Sequence, residues 1–223
     1  VTGTTSITTS GTGTITANSG ADVLTLISAR GSIDVTASGA STGITADSTG
    51  TTAGDGNVTI TADSATGTVR GEANGAGAGM GDVTVNAAAA ATAQAVATGN
   101  TAVVNAAAAT NILGTGSDVT VTSARAGTAT SPTVIAINGT AVAGQTDSAN
   151  VTANGIVTLT NNANLEAITL SGNSTAVTYN IAASEAFTTA GAQNVTISGT
   201  ASDLADSTIS DSSSALSIAS IIT

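Results

Sequence analysis

The sequence predicts an all-β protein, a parallel β-solenoid, with stacked antiparallel β-sandwich domains as the alternative. Three observations carry that prediction. A phrase of turn residue, β-branched residue, Thr and β-branched residue recurs. It reads Gly31-Ser-Ile-Asp-Val-Thr-Ala-Ser, Asp55-Gly-Asn-Val-Thr-Ile-Thr-Ala-Asp, Gly81-Asp-Val-Thr-Val-Asn-Ala, Gly116-Ser-Asp-Val-Thr-Val-Thr-Ser and Gln193-Asn-Val-Thr-Ile-Ser-Gly. Side chains of an extended strand alternate, so Val58 and Ile60 point one way and Thr59 and Thr61 the other. Second, hydrophobic residues make up 41% of the 223 residues but aromatics only 1%, namely Tyr179 and Phe187. Such a core suits thin, regular layers of Val, Ile, Leu and Ala. Third, short strands between Gly, Asn, Ser and Asp corners are the mark of a repeat array, in which stacking buries the apolar face that one turn alone leaves exposed.

Taken in order, residues 1–18 are Thr, Gly and Ser punctuated by Ile7 and Ile15, the latter within another copy of the phrase. Residues 21–29 hold Val23, Leu24, Leu26 and Ile27 and read as a strand covered on one or both faces. Copies follow at Ile33, Val58, Val83, Val103 and Val119, at uneven intervals. Gly71 to Gly81, with Met80, reads as a loop or tight corner. The Ala-rich block 87–97 is open to a short helix by propensity. A strand is preferred, because Val85-Asn86 and Val104-Asn105 both run into Ala blocks that resemble each other. Ser131-Pro132 breaks the chain before a strand at Thr133–Ile137. Beyond about 145–150 the text tightens into strands at 155–160, 165–172, 175–181 and 193–199. Residues 1–149 therefore form an irregular Thr/Gly/Ala-rich solenoid part, and 150–223 a more regular part or second β subdomain. Leu216, Ile218, Ile221 and Ile222 need burial against something.

Charged residues are 8%, with no His and no Lys; the basic residues are Arg30, Arg70 and Arg125, and the net charge is −11. This argues against nucleic acid, whose phosphates need basic partners, and against an anionic membrane surface. No apolar run reaches the roughly 18 residues of a spanning helix. With no Cys there is no disulfide framework or thiolate site, which leans towards a bacterial, extracellular setting. The first residue is Val1, and the chain is expected to be a processed or excised piece of something longer.

Nucleophilic triads and Ser-Lys pairs need His, Cys or Lys and are excluded. Paired carboxylates on a solenoid can hydrolyse glycosides, but sugar platforms are missing; the expectation is no enzyme. Calcium is the one cofactor the acids allow. Asp22, Asp55, Asp82, Asp118, Asp203 and Asp206 sit at Gly, Asn and Ser turns where carboxylate and backbone oxygens can converge on a hard cation. The plainer account is that Asp and Ser cap turns by bonding nearby amides. Thr59 and Thr61, Thr120 and Thr122, and Thr158 and Thr160 form Thr-x-Thr pairs like those of ice-binding solenoids, though their uneven spacing along the chain speaks against a lattice match.

The quoted phrases resemble the Ala/Thr/Gly/Ser/Val-rich bacterial S-layer proteins and, less specifically, the filamentous haemagglutinin-type β-helical adhesins. The likeness is compositional and spread over the chain, without the glycine-rich Asp repeats of calcium-dependent S-layers. It implies an extracellular structural protein that self-assembles into a surface layer or filament, its partner a further copy of itself and also cell-surface polysaccharide. The alternative is an adhesin stalk or binding module of a large secreted protein.

Overall fold

A computed structural model describes residues 4–9, 14–19, 23–28, 31–49, 56–74, 81–140, 142, 145–162, 164–180, 186–189, 194–198, 208–211 and 217–222. The strands in chain order are β1 Thr4–Thr9, β2 Ile15–Ser19, β3 Val23–Ser28, β4 Ile33–Ala37, β5 Gly43–Ser48, β6 Val58–Ala62, β7 Thr68–Ala73, β8 Val83–Ala87, β9 Thr92–Ala97 and β10 Thr101–Ala106. They continue as β11 Asn111–Thr115, β12 Asp118–Gly127, β13 Thr133–Asn138, β14 Ser148–Asn161, β15 Ala167–Asn180, β16 Ala186–Thr189, β17 Asn194–Ser198, β18 Thr208–Asp211 and β19 Ser217–Ile222. No helix is present among the described residues.

As far as β13, each strand pairs in parallel with the strand two places away, so consecutive strands lie on opposite faces of a stack of coils; β14 and β15 each run through both faces. This is a β-solenoid. One ladder runs β2–β4–β6–β8–β10–β12–β14 and on through β15, β16 and β18. The other runs β1–β3–β5–β7–β9–β11–β13–β14 and on through β15, β17 and β19. We call them the even and odd faces. Among the described residues every strand pairing is parallel and the Thr128–Ser131 bridge is the one antiparallel contact, so the sandwich alternative falls.

The recurring phrase maps directly onto this geometry. In β6 the pattern is Val58, Ile60 and Ala62 inward, Thr59 and Thr61 outward. Its register partners repeat it: Ile33, Val35 and Ala37 on one side, Val83, Val85 and Ala87 on the other. The third inward position is kept small, as Ala37, Ala62, Ala87 and Ala106, where the strand turns towards the opposite face. The Ala-rich block resolves as the end of β8, a corner, and strand β9, whose Ala93, Ala95 and Ala97 are buried. Val104-Asn105-Ala106 stacks on Val85-Asn86-Ala87 as the sequence suggests.

Three expectations are corrected. Val83 pairs with Ala102 and not Val103, which points outward, because the coil joining them is 19 residues long. Gly71 is not in a loop. It lies inside β7, facing the core, where an added Cβ would come 2.9 Å from Val83 Cγ1 and 3.2 Å from Val58 and Val85 methyls. Residues 167–180 form one strand rather than two, bent at Gly172, whose φ is +106°. Gly155 makes the same bend in β14 with φ +69°, and a side chain at either position would meet the backbone of the coil below.

The core is thin and close-packed. Gly71, Ala95 and Gly114 on the odd face oppose valines of the even face, small against large. The chain's two aromatics meet in it: Tyr179 and Phe187, both fully buried, stack at 4.7 Å between ring centroids and 19° between planes. Leu165, Ile168 and Leu170 are buried as read. The even ladder passes through 149–151, and the odd ladder joins the same strand at Val157–Asn161. Ile15 is buried and Ile7 packs partly against the core. Leu216, of the C-terminal apolar group, lies outside the described residues, as do the side-chain environments of Ile218, Ile221 and Ile222.

A Cβ at Gly114 would fall 2.4 Å from Val119 Cγ1. Gly114→Val should therefore cost about 1–3 kcal/mol or more by overpacking. Thr115→Val, next along and facing outward, should stay within about 0.5 kcal/mol of the parent. Urea denaturation midpoints at constant m check both.

Candidate functional site

Four features stand apart from the repeating core: two outer faces, one corner row of side chains and one buried carboxylate.

The even face presents two outward ranks. The first runs Asp34, Thr59, Thr84, Val103, Thr120, Asn150, Thr169 and Thr188. The second runs Thr36, Thr61, Asn86, Asn105, Thr122, Thr152 and Ser171. Neighbours in the second rank bond to each other: Asn105 Nδ2 donates to Asn86 Oδ1 at 2.8 Å, and the Thr152 and Ser171 hydroxyls are 3.0 Å apart. From β6 to β15 no position in either rank is charged. Along the margin of this face lies a furrow of about 250 Å³, walled mainly by Ala88, Ala107 and Ala124 with the Asn86 and Asn105 amides and Asp63.

The odd face differs. Its outward positions hold Asp47, Arg70 and Glu72 beside Thr45, Thr68 and Gln94. Arg70 pairs with Glu72, which also accepts a hydrogen bond from Asn74 Nδ2. Asp47 stacks directly on Glu72 in register. Burial, and then the Glu72 charge, push the Asp47 carboxyl above the ordinary value of 3.8, with Arg70 opposing.

At the corner leading into the even strands, Asn57, Asp82, Thr101, Asp118 and Ser148 stand one above another. Asp82 N donates to Asn57 Oδ1 at 2.8 Å, Thr101 N to Asp82 Oδ1 at 3.1 Å, and Ser148 Oγ to Asp118 Oδ1 at 2.9 Å. Asp82 and Asp118 are exposed, and each ties its coil to the next through one carboxylate oxygen. The structure places them in the same row two rungs apart, with Thr101 between. Asp22, Asp55, Asp203 and Asp206 lie outside the described residues. Among those described, no group of three His, Cys, Asp or Glu side chains is close enough to hold a metal.

Sequence reasoning missed Asp147. It is 1% exposed, where the corner 139–147 crosses from β13 to β14. Its Oδ2 accepts from Thr140 N, and its backbone N–H donates to Glu166 Oε2. Its Oδ1 has no hydrogen-bond partner. The same corner is clamped by Asn162, which accepts from Gly139 N at 2.9 Å and donates to Gly139 O at 3.0 Å. Gln145 Nε2 reaches back to Gly99 O at 3.2 Å. Desolvation, and the Glu166 and Asp118 charges, raise the Asp147 carboxyl above 3.8; the Thr140 amide works against them. The one signal in the sequence is that Asp147 sits in the stretch where the text changes character.

Arg125 is spent on structure: its guanidinium donates to Thr133 Oγ1 at 2.9 Å and to Ser131 O and Oγ at 2.8 and 2.7 Å, pinning the loop ahead of β13. No helix of the described residues is long and apolar enough to cross a membrane. No protein family, curated protein or solved structure matches this chain.

Because the folded-state pKa of Asp147 is raised, its contribution to stability is full below the unfolded value of about 3.9 and is lost as pH climbs through the folded value. Asp147→Asn keeps an acceptor for Thr140 N and removes the ionisation. The variant should therefore lose less stability than the parent between about pH 4 and neutrality. Paired denaturation series across that range, giving parallel profiles, would contradict the assignment.

Proposed function

We propose that this chain is a structural protein of the cell exterior, a stiff solenoid unit that joins copies of itself into a surface layer or filament. The observation that carries the reading is the pair of parallel ladders. Coils are joined by backbone hydrogen bonds, a continuous apolar core and side-chain ties such as Asp82 to Thr101. A coil contributed by a second chain can continue that arrangement on the same terms. Nothing in the chain discourages it in the usual manner, since edges are commonly blunted by Lys or Pro and the sequence has no Lys and one Pro. The surface supports the same role: hydroxyls and amides, few charges, and no convergent set of reactive groups among the described residues. Cell-surface polysaccharide is a second partner for such a unit. Calcium, if it acts, acts at corner carboxylates such as Asp82 and Asp118.

Electron microscopy of the purified chain over a concentration series tests this. The expected result is ordered sheets or filaments that dissociate on dilution. Discrete rods of single-chain mass at the highest concentrations would overturn self-assembly and leave a stalk or spacer. Repeating the series with a chelator separates a calcium-dependent contact from a direct one.

A further inference from the structure

We infer that the even outer face is an ice-binding surface, taking as its ligand the neutral, periodic oxygen lattice of ice. Thr158 and Thr160 lie on the odd face, but the uneven spacing of Thr59-x-Thr61 and Thr120-x-Thr122 along the chain does not carry over into space. Coils of 25, 19 and 30 residues all return to the same register on this face. The result is a two-dimensional array spanning six successive rungs: β6, β8, β10, β12 and the first halves of β14 and β15. Its two ranks include Thr59 and Thr61, Thr120 and Thr122, and Thr169 and Ser171.

Backbone geometry sets both repeats. Neighbouring strands are about 4.7–4.9 Å apart, and alternate residues of one strand are about 6.6–6.8 Å apart. Both spacings lie close to oxygen–oxygen repeats of hexagonal ice. Threonine suits such a contact, since its hydroxyl holds a lattice water and its methyl fills the space between. The Asn86–Asn105 and Thr152–Ser171 bonds fix rank members before any ligand arrives, so little ordering is required on binding.

Charge complementarity selects the face. A neutral solid matches the two ranks, neither of which carries an ionic group over those six rungs, with Asp82 and Asp118 held in the corner row beside them; the odd ranks are interrupted by Asp47, Arg70 and Glu72. Crystalline polysaccharide is the other periodic solid to weigh, but it stacks on exposed aromatic rings. Tyr179 and Phe187, the chain's only aromatics, are fully buried.

The test uses the full chain, taken as the single-chain fraction from size exclusion so that assembly is kept apart from adsorption. Thermal hysteresis and incorporation into slowly grown ice are measured. The parent should halt growth, shape the crystal and enter the ice. Thr122→Tyr, in the middle of the array, should lose most of the hysteresis. Thr92→Tyr, on the odd face, should keep it, with both variants matching the parent in circular dichroism and melting. A parent with neither hysteresis nor incorporation overturns the inference. So does equal loss in both variants, or retention on crystalline cellulose or chitin without retention on ice.

Discussion

In-register parallel stacking is the constraint from which the rest of this molecule follows. Backbone hydrogen bonding sets each residue of a strand about 4.7–4.9 Å above its counterpart in the coil below. A residue type must therefore tolerate its own kind as nearest neighbour, coil after coil. Like charges in such a rank repel, whereas Asn donates to Asn and Thr bonds to Ser, as at Asn86–Asn105 and Thr152–Ser171. Inside, volumes add along a rank, and aliphatic residues stack without any special orientation. The low charge content, the scarcity of aromatics and the abundance of Thr and Ala need no separate explanations. On the even face Asp34 enters singly, stacked on Thr59; on the odd face charge comes as the mixed set Asp47, Arg70 and Glu72, and even there burial and the Glu72 charge raise the Asp47 carboxyl.

The corners absorb what the faces cannot. Between an odd strand and the next even strand the connection is as short as 98–100 or 116–117, and as long as 49–57, 74–82 or 139–147. Strand length and register do not change with it. Some backbone groups of these connections bond the backbone of the adjacent coil, as Ser117 N does to Asn100 O, and side chains satisfy others. Asn57, Asp82 and Asn162 do so by bonding amides or carbonyls of the adjacent coil. Asp147 goes further, since it is buried with one oxygen unsatisfied. It is the point where the regular stack carries an electrostatic cost.

Much of this was legible in the sequence, because the phrase itself encodes burial: Val58 and Ile60 in, Thr59 and Thr61 out. Val-Asn-Ala recurs in phase and the Ala-rich block is not helical, but only Thr92–Ala97 is strand, and the Ala runs after Ala87 and Ala106 are corners. The phase of one coil was not legible. At Ala102-Val103-Val104 two adjacent valines are equally good inward candidates, and only the register with Val83 and Val85 decides between them. Gly71 reads as part of a loop, yet it lies in a strand and faces the core, as Gly114 does, because their small size answers valines on the opposite sheet. That complementarity joins residues distant in sequence and has no local signature. The even array was discounted for the same reason. Interval along the chain is set by corner length, interval in space by the ladder, and only the first can be read from a sequence.

Those residues also decide what kind of function the chain can have. The sequence has no His, Cys or Lys, and no group of three acids is brought together among the described residues. What the fold does multiply is surface: a weak contact made by Thr61 is offered again on the next rungs by Asn86 and Asn105, and again by Thr122. Weak contacts become consequential when they are numerous, equally spaced and rigidly held. The rigidity comes from below, where Gly114 admits Val119 and Tyr179 stacks on Phe187. The two faces then divide the possibilities, since the odd one carries charges that suit a polar or ionic neighbour and the two even ranks are neutral over six rungs. A partner that reads the even face must itself be periodic, which holds for another solenoid coil at the ladder ends and for ice on the flat.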